Sequence, residues 1–155
     1  MSDLTHLDPA GHARMVDVTD RDVTTRSATA SGRVTTSASG LIRSGEVPKG
    51  DVLAVARIAG IMATKRTPDL IPLCHPIAVH GVDVEVTVAP DADEVHIRAT
   101  VRTADRTGVE MEALTAVAVA GLTVIDMVKA VDPHAALRDV LVESKDSGRN
   151  GAWLR

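Results

Sequence analysis

The sequence predicts an α+β fold, in which a layer of helices packs against an antiparallel sheet. Residues 82–88 and 95–102 both alternate apolar with polar side chains and are joined by a short turn, the pattern of a hairpin with one wet face. Residues 52–63 carry apolar side chains at helical spacing, and residues 113–125 are almost continuously apolar. Helices mixed with strands in which hairpins dominate are typical of this fold class.

The first third of the chain predicts strands and a short helix. Residues 1–14 are polar and are expected to form a flexible arm, and residues 15–18 are expected to start a strand. Residues 26–34 alternate small apolar residues with Ser, Thr and Arg, as a half-buried strand does. Residues 41–42 fit a short helix that ends at Gly45.

A second helix is predicted between Asp51, a good N-cap residue, and the helix-stopping Thr-Pro pair at 67–68. Its predicted apolar stripe consists of Val52, Val55, Ala56, Ala59, Met62 and Ala63. Three prolines in the following loop hold the backbone extended. Cys74 and His75 therefore lie on a stiff connection that positions their side chains.

Residues 107–132 predict a central helix. Only two threonines interrupt the apolar run at 113–125, so this helix would be apolar on every side and would need protein all around it. About 13 apolar residues fall short of the roughly 20 that a membrane span requires, which favours a buried core helix. A last strand follows at 137–142. We therefore expect one catalytic domain at 15–145 and a flexible tail at 146–155.

Composition restricts the function. The 155 residues include no Phe or Tyr and one Trp, Trp153, so a platform that stacks several bases is excluded. The net charge of −4 gives no reason to expect nucleic acid or an anionic membrane as a partner. The one cysteine suits the reducing cytoplasm, and the polar N-terminus lacks the apolar region of a signal peptide.

The common nucleotide and metal motifs are absent. The sequence contains neither a P-loop nor a strand-anchored GxGxxG, and it contains no CxxC, HExxH or GxSxG. The six histidines are scattered without the spacing of metal ligands. We therefore expect no metal site and no resident cofactor.

Three residues in loops are candidates for chemistry, each with an alternative explanation. Lys49 lies just before a helix start, where free N–H groups attract anions; it is either a phosphate ligand or a solvated loop lysine. His75 is either a structural histidine or a group that binds or transfers protons. Cys74 is interpreted as a small packed residue, because no neighbour in sequence lowers its thiol pKa.

Charged residues also mark the ends of the central helix. Glu110 and Glu112 would gain from the helix dipole even without a function. Asp126 and Lys129 are three residues apart and share a face, so they form either a solvated ion pair or an acid/base pair. In the tail, Lys145 and Arg149 are either ordinary solvated charges or part of a phosphate lid.

The length of the central helix limits which of these residues can share a ligand. Glu112 and Asp126 are 14 residues apart, which is about 21 Å along a straight helix. If both serve one site, two chains must contribute to it. A two-fold axis that places two central helices antiparallel would bring Glu112 of one chain beside Asp126 of the other.

Four long motifs carry a family resemblance: MVDVTDRDVTTRSATASGRV, KGDVLAVARIAGIMATKRT, DLIPLCHPI and TGVEMEALTAVAVAGLTVIDMVKAVD. Together they resemble the cyclic pyranopterin monophosphate synthase (MoaC) family of molybdenum cofactor biosynthesis, over about residues 15–145. The resemblance implies a cytoplasmic lyase with a ferredoxin-like fold, assembled as a hexamer from dimers. It implies a cyclised derivative of GTP as the substrate, rearranged to a pyranopterin with a cyclic phosphate while diphosphate leaves.

The resemblance also implies roles for particular residues. It assigns catalysis to Asp126, Lys49 and Lys129. It assigns substrate binding to Leu73, Cys74, His75, Met111 and Glu112, with Glu110 and Arg26 in the same motifs. The tail departs from the usual ending of the family, which weakens the transfer to Lys145 and weakens it further for Arg149.

Two other classes of function stay open at this stage. A catalytically inactive nucleotide-binding regulatory module would use the same anion-attracting helix start, but would not need Asp126 beside Lys129. A simple assembly protein would explain the buried helix and the hairpin, but not a histidine between prolines or a lysine at a helix start. Product analysis with the cyclised nucleotide separates the three.

Overall fold

The computed structural model describes residues 5–148 and 151–155. Within these ranges the elements in chain order are β1 (Thr24–Thr35), α1 (Ser39–Ser44), α2 (Val52–Thr64), α3 (Thr67–Leu70), β2 (Gly81–Val88), β3 (Glu94–Asp105), α4 (Glu110–Val128), β4 (Ala136–Asp146) and β5 (Ala152–Leu154). Among the described residues the strands form one antiparallel sheet in the order β2-β3-β1-β4-β5.

The topology is ferredoxin-like. Without the two short helices and the edge strand β5, the chain runs βαββαβ and the sheet order is β2-β3-β1-β4. Helix α4 packs on β1, β3 and β4, and α2 packs on α4 and β2. The predicted α+β fold, with helices against an antiparallel sheet, is therefore confirmed.

The predicted hairpin is present as β2 and β3, with Val84 opposite Ala99 and Val86 opposite Ile97. These four side chains are buried, whereas the alternate positions face solvent. On the wet face Arg102 forms a 2.7 Å ion pair with Asp83. Alternation at period two was thus sufficient to place both strands and their buried face.

The core is built almost entirely from small aliphatic side chains, which allows helices to approach closely. At Gly60 of α2, an added Cβ would lie 3.1 Å from the Ala116 carbonyl oxygen and 3.4 Å from the Ala120 Cβ, both on α4. Small residues at the crossing let the two helix backbones meet with little space between them. The contact fixes the start of α2 relative to the end of α4.

This close contact corrects the predicted stripe of α2. Helix α2 does begin after Asp51, whose side chain accepts a hydrogen bond from the Ala54 N–H at 3.1 Å. The buried residues, however, are Val52, Ala56, Gly60, Ala63 and Thr64, while Val55 and Met62 are exposed. The contact follows the small residues, whereas the prediction followed hydrophobicity alone.

Helix α4 is the central helix, but within one chain only part of its surface is covered. Ala113, Val117 and Val124 are fully buried, whereas Leu122 on the outer side is 58% exposed. The expectation that protein surrounds the helix is therefore not met by this chain alone. By length and composition α4 passes the test for a membrane span, a test that a mostly buried core helix also passes.

Three further predictions concern the short helix, the strand at 15–18 and the last strand. The short helix is present as α1 and ends at Gly45 in the left-handed region (φ 75°). The strand expected at 15–18 is wrong, since these residues belong to no strand. The expected last strand is present but longer, because β4 continues to Asp146, and residues 152–154 add the edge strand β5. The mobility of the arm and of the tail stays a prediction.

Candidate active site

Three predicted catalytic residues meet at the end of α4, and we refer to Lys49, Asp126 and Lys129 as the end cluster. Lys49 Nζ lies 3.1 Å from Asp126 Oδ2 and donates a second hydrogen bond to the Asp126 carbonyl oxygen at 3.0 Å. Lys129 Nζ lies 2.7 Å from Asp126 Oδ1. Each oxygen of the carboxylate therefore faces its own ammonium group.

Local sequence explains how the end cluster forms. Asp126 lies in the last turn of α4, and Lys129 follows three residues later at its C-cap, on the same face. Lys49 lies in the tight turn that precedes the Asp51 cap of α2, where Gly50 adopts a φ of 114°. The close packing of α2 on α4 brings that turn to the end of α4.

The end cluster is exposed, with all three side chains close to half accessible. The hydrogen bonds from Lys129 and then Lys49 hold the pKa of Asp126 below its ordinary value. Asp126 is therefore a carboxylate over the whole neutral range. Since water reaches the cluster, the two lysines remain available to a ligand.

A second group of predicted residues lies at the start of α4, around a cavity of about 210 Å³ that we call the loop cavity. Its walls include Leu73, Cys74, His75, Glu110 and Met111. Thr5 and His6 of the N-terminal arm also line it, together with Arg21. The stiff loop, the first turn of α4 and the arm therefore meet at one place.

His75 is fixed by a backbone carbonyl. Its Nε2 lies 2.6 Å from the Val16 oxygen. Because a carbonyl oxygen only accepts hydrogen bonds, Nε2 carries the hydrogen, which leaves Nδ1 as the acceptor of the neutral ring. The contact holds Val16 beside the loop, where residues 15–18 belong to no strand.

Cys74 on the wall of the loop cavity contacts Glu112, which is buried behind it. Cys74 Sγ donates to Glu112 Oε1 at 3.7 Å, and Glu112 is 1% exposed. Burial, followed by the Glu112 charge, raises the pKa of Cys74 to about 11. Burial is also the main reason that the pKa of Glu112 is raised, and its Oε2 has no hydrogen-bond partner among the described residues.

The remaining predicted residues lie at the same end. Lys145 Nζ on β4 lies 3.0 Å from Glu110 Oε1 on α4. Arg26 on β1 is largely buried and donates from Nε to the Asp105 carbonyl oxygen at 3.2 Å. Both cations thus stand beside the first turn of α4. Arg149 lies outside the described residues.

The structure therefore divides the predicted residues into two groups at opposite ends of α4. The end cluster is one group, and the loop cavity with Glu112, Arg26 and Lys145 is the other. A larger hollow of about 650 Å³ lies on the outer face of the sheet and contains none of the predicted residues among those that line it. The predicted residues therefore lie at the helix ends and not in this hollow.

Several contacts around the loop cavity had no signal in the sequence. The Val16 carbonyl and the Arg21 carbonyl, which accepts from Arg106 Nε at 3.0 Å, are backbone groups. Backbone acceptors carry no residue-type pattern, so only the fold reveals them. Among residues 5–148 and 151–155, no group of three or more His, Cys, Asp or Glu is arranged to hold a metal.

The fold and the site together define a class: a ferredoxin-like α+β domain with groups for acid/base chemistry and cations for an anionic small molecule. Comparison with known proteins identifies the family within this class. The sequence profile of the MoaC family matches residues 15–148. The chain belongs to the MoaC family.

Relatives in this family match over nearly their full length. A protein named cyclic pyranopterin monophosphate synthase from Streptomyces griseus subsp. griseus is 66% identical over 154 residues, covering 98% of this chain and 86% of the relative. Proteins of the same name from a Nocardioides species and from Chloroflexus aurantiacus are 62% and 54% identical, covering 95% and 96% of their own lengths. The similarity therefore includes both ends of α4.

Proposed function

We propose that this chain is a cyclic pyranopterin monophosphate synthase, a lyase of molybdenum cofactor biosynthesis. It would convert a cyclised derivative of GTP to cyclic pyranopterin monophosphate with release of diphosphate. The observation that supports this best is the end cluster, in which Asp126 has one oxygen against Lys129 and the other against Lys49. An assembly protein or a simple binding module has no need for this arrangement.

The end cluster suits the rearrangement of the heterocycle. Opening the imidazole portion of the purine requires proton transfer to and from ring nitrogens. Asp126 is ionised at neutral pH and can accept a proton, and the flanking lysines can donate one. A well-placed acid or base of this kind contributes about 10²- to 10⁴-fold to the rate.

The expulsion of diphosphate requires positive charge and hydrogen-bond donors. As the cyclic phosphate forms, negative charge develops on the leaving group, and preorganised cations stabilise it in the transition state. Lys49, Lys129 and Arg26 are the cations that we assign to this role, with Lys145, which contacts Glu110 of the cavity wall. We assign His75 to it in the protonated form, in which Nδ1 becomes a second donor beside the Nε2–H that faces the Val16 carbonyl. Leu73, Cys74, Met111, Glu110 and Glu112 would shape the pocket that holds the substrate.

We further infer that two chains build each site. Groups at opposite ends of α4 are too far apart for one small ligand, since 14 residues of helix span about 21 Å. The outer side of α4 carries exposed Leu122, and α2 exposes Val55, Ile58 and Met62. A second copy that covers these side chains would form a dimer, the unit of the homohexamer that the family resemblance implies. The cytoplasmic location rests on that resemblance alone.

Turnover of the cyclised nucleotide tests the proposal. The purified chain should release diphosphate and form a product that becomes a fluorescent pterin on oxidation. Lys49→Ala should fold normally and lose this activity, whereas Lys65→Ala, at the C-cap of α2, should retain it. Binding of the nucleotide without either product would instead support an inactive regulatory module, and absence of binding an assembly protein.

A further inference from the structure

Trp153, the only Trp of a chain that has no Phe or Tyr, lies beside the charged groups at the start of α4. Trp153 on β5 is opposite Lys145 on β4, and Lys145 is opposite Ala28 on β1. Directly opposed residues of antiparallel strands point to the same face, with Cβ atoms about 5 Å apart. Ala28 belongs to the core beneath α4, so Lys145 and Trp153 also point to the face that carries the helices.

An ion pair links the residue opposite Trp153 to the loop cavity. Lys145 reaches from beside Trp153 to Glu110, and Glu110 lines the loop cavity. Arg26 lies two residues before Ala28 on β1 and therefore points to the same face. The ring thus stands at the same end of the sheet as two cations and the cavity, but at the sheet edge.

The ring is accessible to a ligand. Trp153 is 42% exposed and belongs to a three-residue edge strand. The Arg155 guanidinium lies 5.5 Å from the ring centroid, a cation–π contact that holds the ring. Because the sequence has no Phe or Tyr, Trp153 offers the largest aromatic face of the chain to a flat heterocycle; the other aromatic rings are the smaller imidazoles of the histidines.

We propose that Trp153 is a substrate-binding residue whose indole stacks on the fused heterocycle of the bound nucleotide, while Arg26 and Lys145 face its charged groups. The identity of the ligand rests on the proposed function; the location of the stacking surface rests on the strand register. The absence of Phe and Tyr argues against a platform that stacks several bases, but a single Trp is sufficient to stack on one heterocycle. Edge strand β5 therefore forms a wall of the site.

Intrinsic fluorescence gives a direct test, because Trp153 is the only Trp and the chain has no Tyr. GTP titrated into the full-length protein should change the indole emission saturably. Inorganic tripolyphosphate, which carries similar charge without a ring, should change it little at the same concentrations. Equal responses to both compounds, or no response to GTP, would overturn the stacking proposal.

Substitutions separate this inference from the proposed function. Stacking of one base on one ring corresponds to about 5- to 150-fold in affinity, so Trp153→Leu should raise KM by that factor and change kcat little. Trp153→Phe should restore most of the affinity. Leu154→Ala is the matched control, since Leu154 is 80% exposed, lines the hollow on the outer face of the sheet and neighbours Trp153 in the same strand.

The outcomes are distinguishable. Wild-type turnover combined with an unchanged KM in Trp153→Leu overturns the stacking role alone. Absence of wild-type turnover overturns the proposed function, and the GTP titration then decides the stacking role independently. Circular dichroism of each variant checks that the sheet is intact. If KM rises as much for Leu154→Ala as for Trp153→Leu, the effect comes from disturbing the edge strand and not from losing the ring, and the proposal is overturned.

Discussion

Substitution of Asp126 tests the proposed chemistry most directly. Asp126→Asn keeps the shape of the side chain but removes the charge that Lys129 and Lys49 contact. We expect turnover to fall by about 10²- to 10⁴-fold, because the amide cannot accept the proton. Diphosphate release under saturating substrate measures this loss.

A matched control separates chemistry from surface charge. Asp83→Asn removes another exposed carboxylate that is paired with a cation, here Arg102 at 2.7 Å on the wet face of the hairpin. Its turnover should equal that of the wild type. Asp126→Asn with near-normal turnover would be incompatible with the proposed role of the end cluster.

Cys74 should behave as an unusually inert thiol. With its pKa raised to about 11, mainly by burial, only about one molecule in ten thousand carries the thiolate at pH 7. The rate of alkylation by iodoacetamide should therefore keep rising with pH beyond about 9, where an ordinary thiol levels off. The raised pKa also implies that stability decreases as pH rises above the ordinary thiol value.

The same chain in urea is the control for Cys74, since it is the only cysteine and the unfolded state exposes it. In urea the alkylation rate should level off near pH ~8.5. If the alkylation rate of the folded chain levels off at the same pH, the raised pKa of Cys74 beside buried Glu112 is contradicted.

Glu112 should contribute stability that is greatest in acid. Its pKa is raised by burial, so the folded chain retains a proton that the unfolded chain releases near pH ~4.3. This contribution is complete below that pH and is lost as pH rises through the folded-state pKa. Carboxylates with lowered pKa values, such as Asp126 and Asp132, act in the opposite direction in acid, so the informative quantity is the difference between variant and wild type. Measured by urea unfolding above pH ~4.3, the stability of Glu112→Gln relative to the wild type should rise with pH. Glu85→Gln, at an exposed position of β2, should leave the pH dependence of stability unchanged.

At this scale the sequence predicted which residues carry charge but not what each one contacts. Asp126 and Lys129 were predicted to share a face because helical spacing is regular, and they do contact. Lys49 is 77 residues from Asp126, so its contact depends on the packing of α2 on α4. The ring orientation of His75 depends on a backbone oxygen, which no sequence pattern identifies.

At the scale of elements, the start of α2 determines the position of Lys49. Asp51→Ala removes the hydrogen bond from the Ala54 N–H and should lower the free energy of unfolding by about 0.5–2 kcal/mol. Asp51→Asn keeps an oxygen acceptor and should lose much less. Thermal unfolding of both variants measures the difference. Equal losses would show that the side-chain oxygen acceptor contributes nothing to stability.

The elements themselves were largely predictable, because periodicity is a local property. The hairpin, β1, α1, α2, α4 and β4 all follow from alternation, helical spacing or capping residues. Two failures were tertiary. The stripe of α2 was displaced because Gly60 admits the backbone of α4, and residues 15–18 lie against His75 rather than in the sheet. A third was local: Pro68 was expected to hold the backbone extended, but it lies in the first turn of α3, a position that proline tolerates.

At the scale of the whole molecule, one chain leaves part of the outer surface of the helix layer uncovered and keeps the two groups of predicted residues apart. The sequence predicted protein on every side of α4, yet Leu122 is exposed and so are Ile58 and Met62 of α2. A continuous helix also holds the end cluster and the loop cavity apart at a fixed distance. A second copy across this surface answers both observations, because antiparallel α4 helices would bring unlike ends together.

Mixing of inactive variants tests the shared site. Asp126→Asn damages one end of α4, and His75→Ala damages the group at the other end, so each homodimer should be inactive. In a randomly mixed dimer, one site combines the intact loop cavity of the first chain with the intact end cluster of the second. An equal mixture should therefore recover about a quarter of wild-type turnover. Asp126→Asn mixed with Lys49→Ala, both damaged in the end cluster, should recover none. Recovery in neither mixture, while the subunits demonstrably exchange, would place each site within a single chain. Recovery in both would show that Lys49 and Asp126 act from different chains, which contradicts the end cluster as one chain's unit.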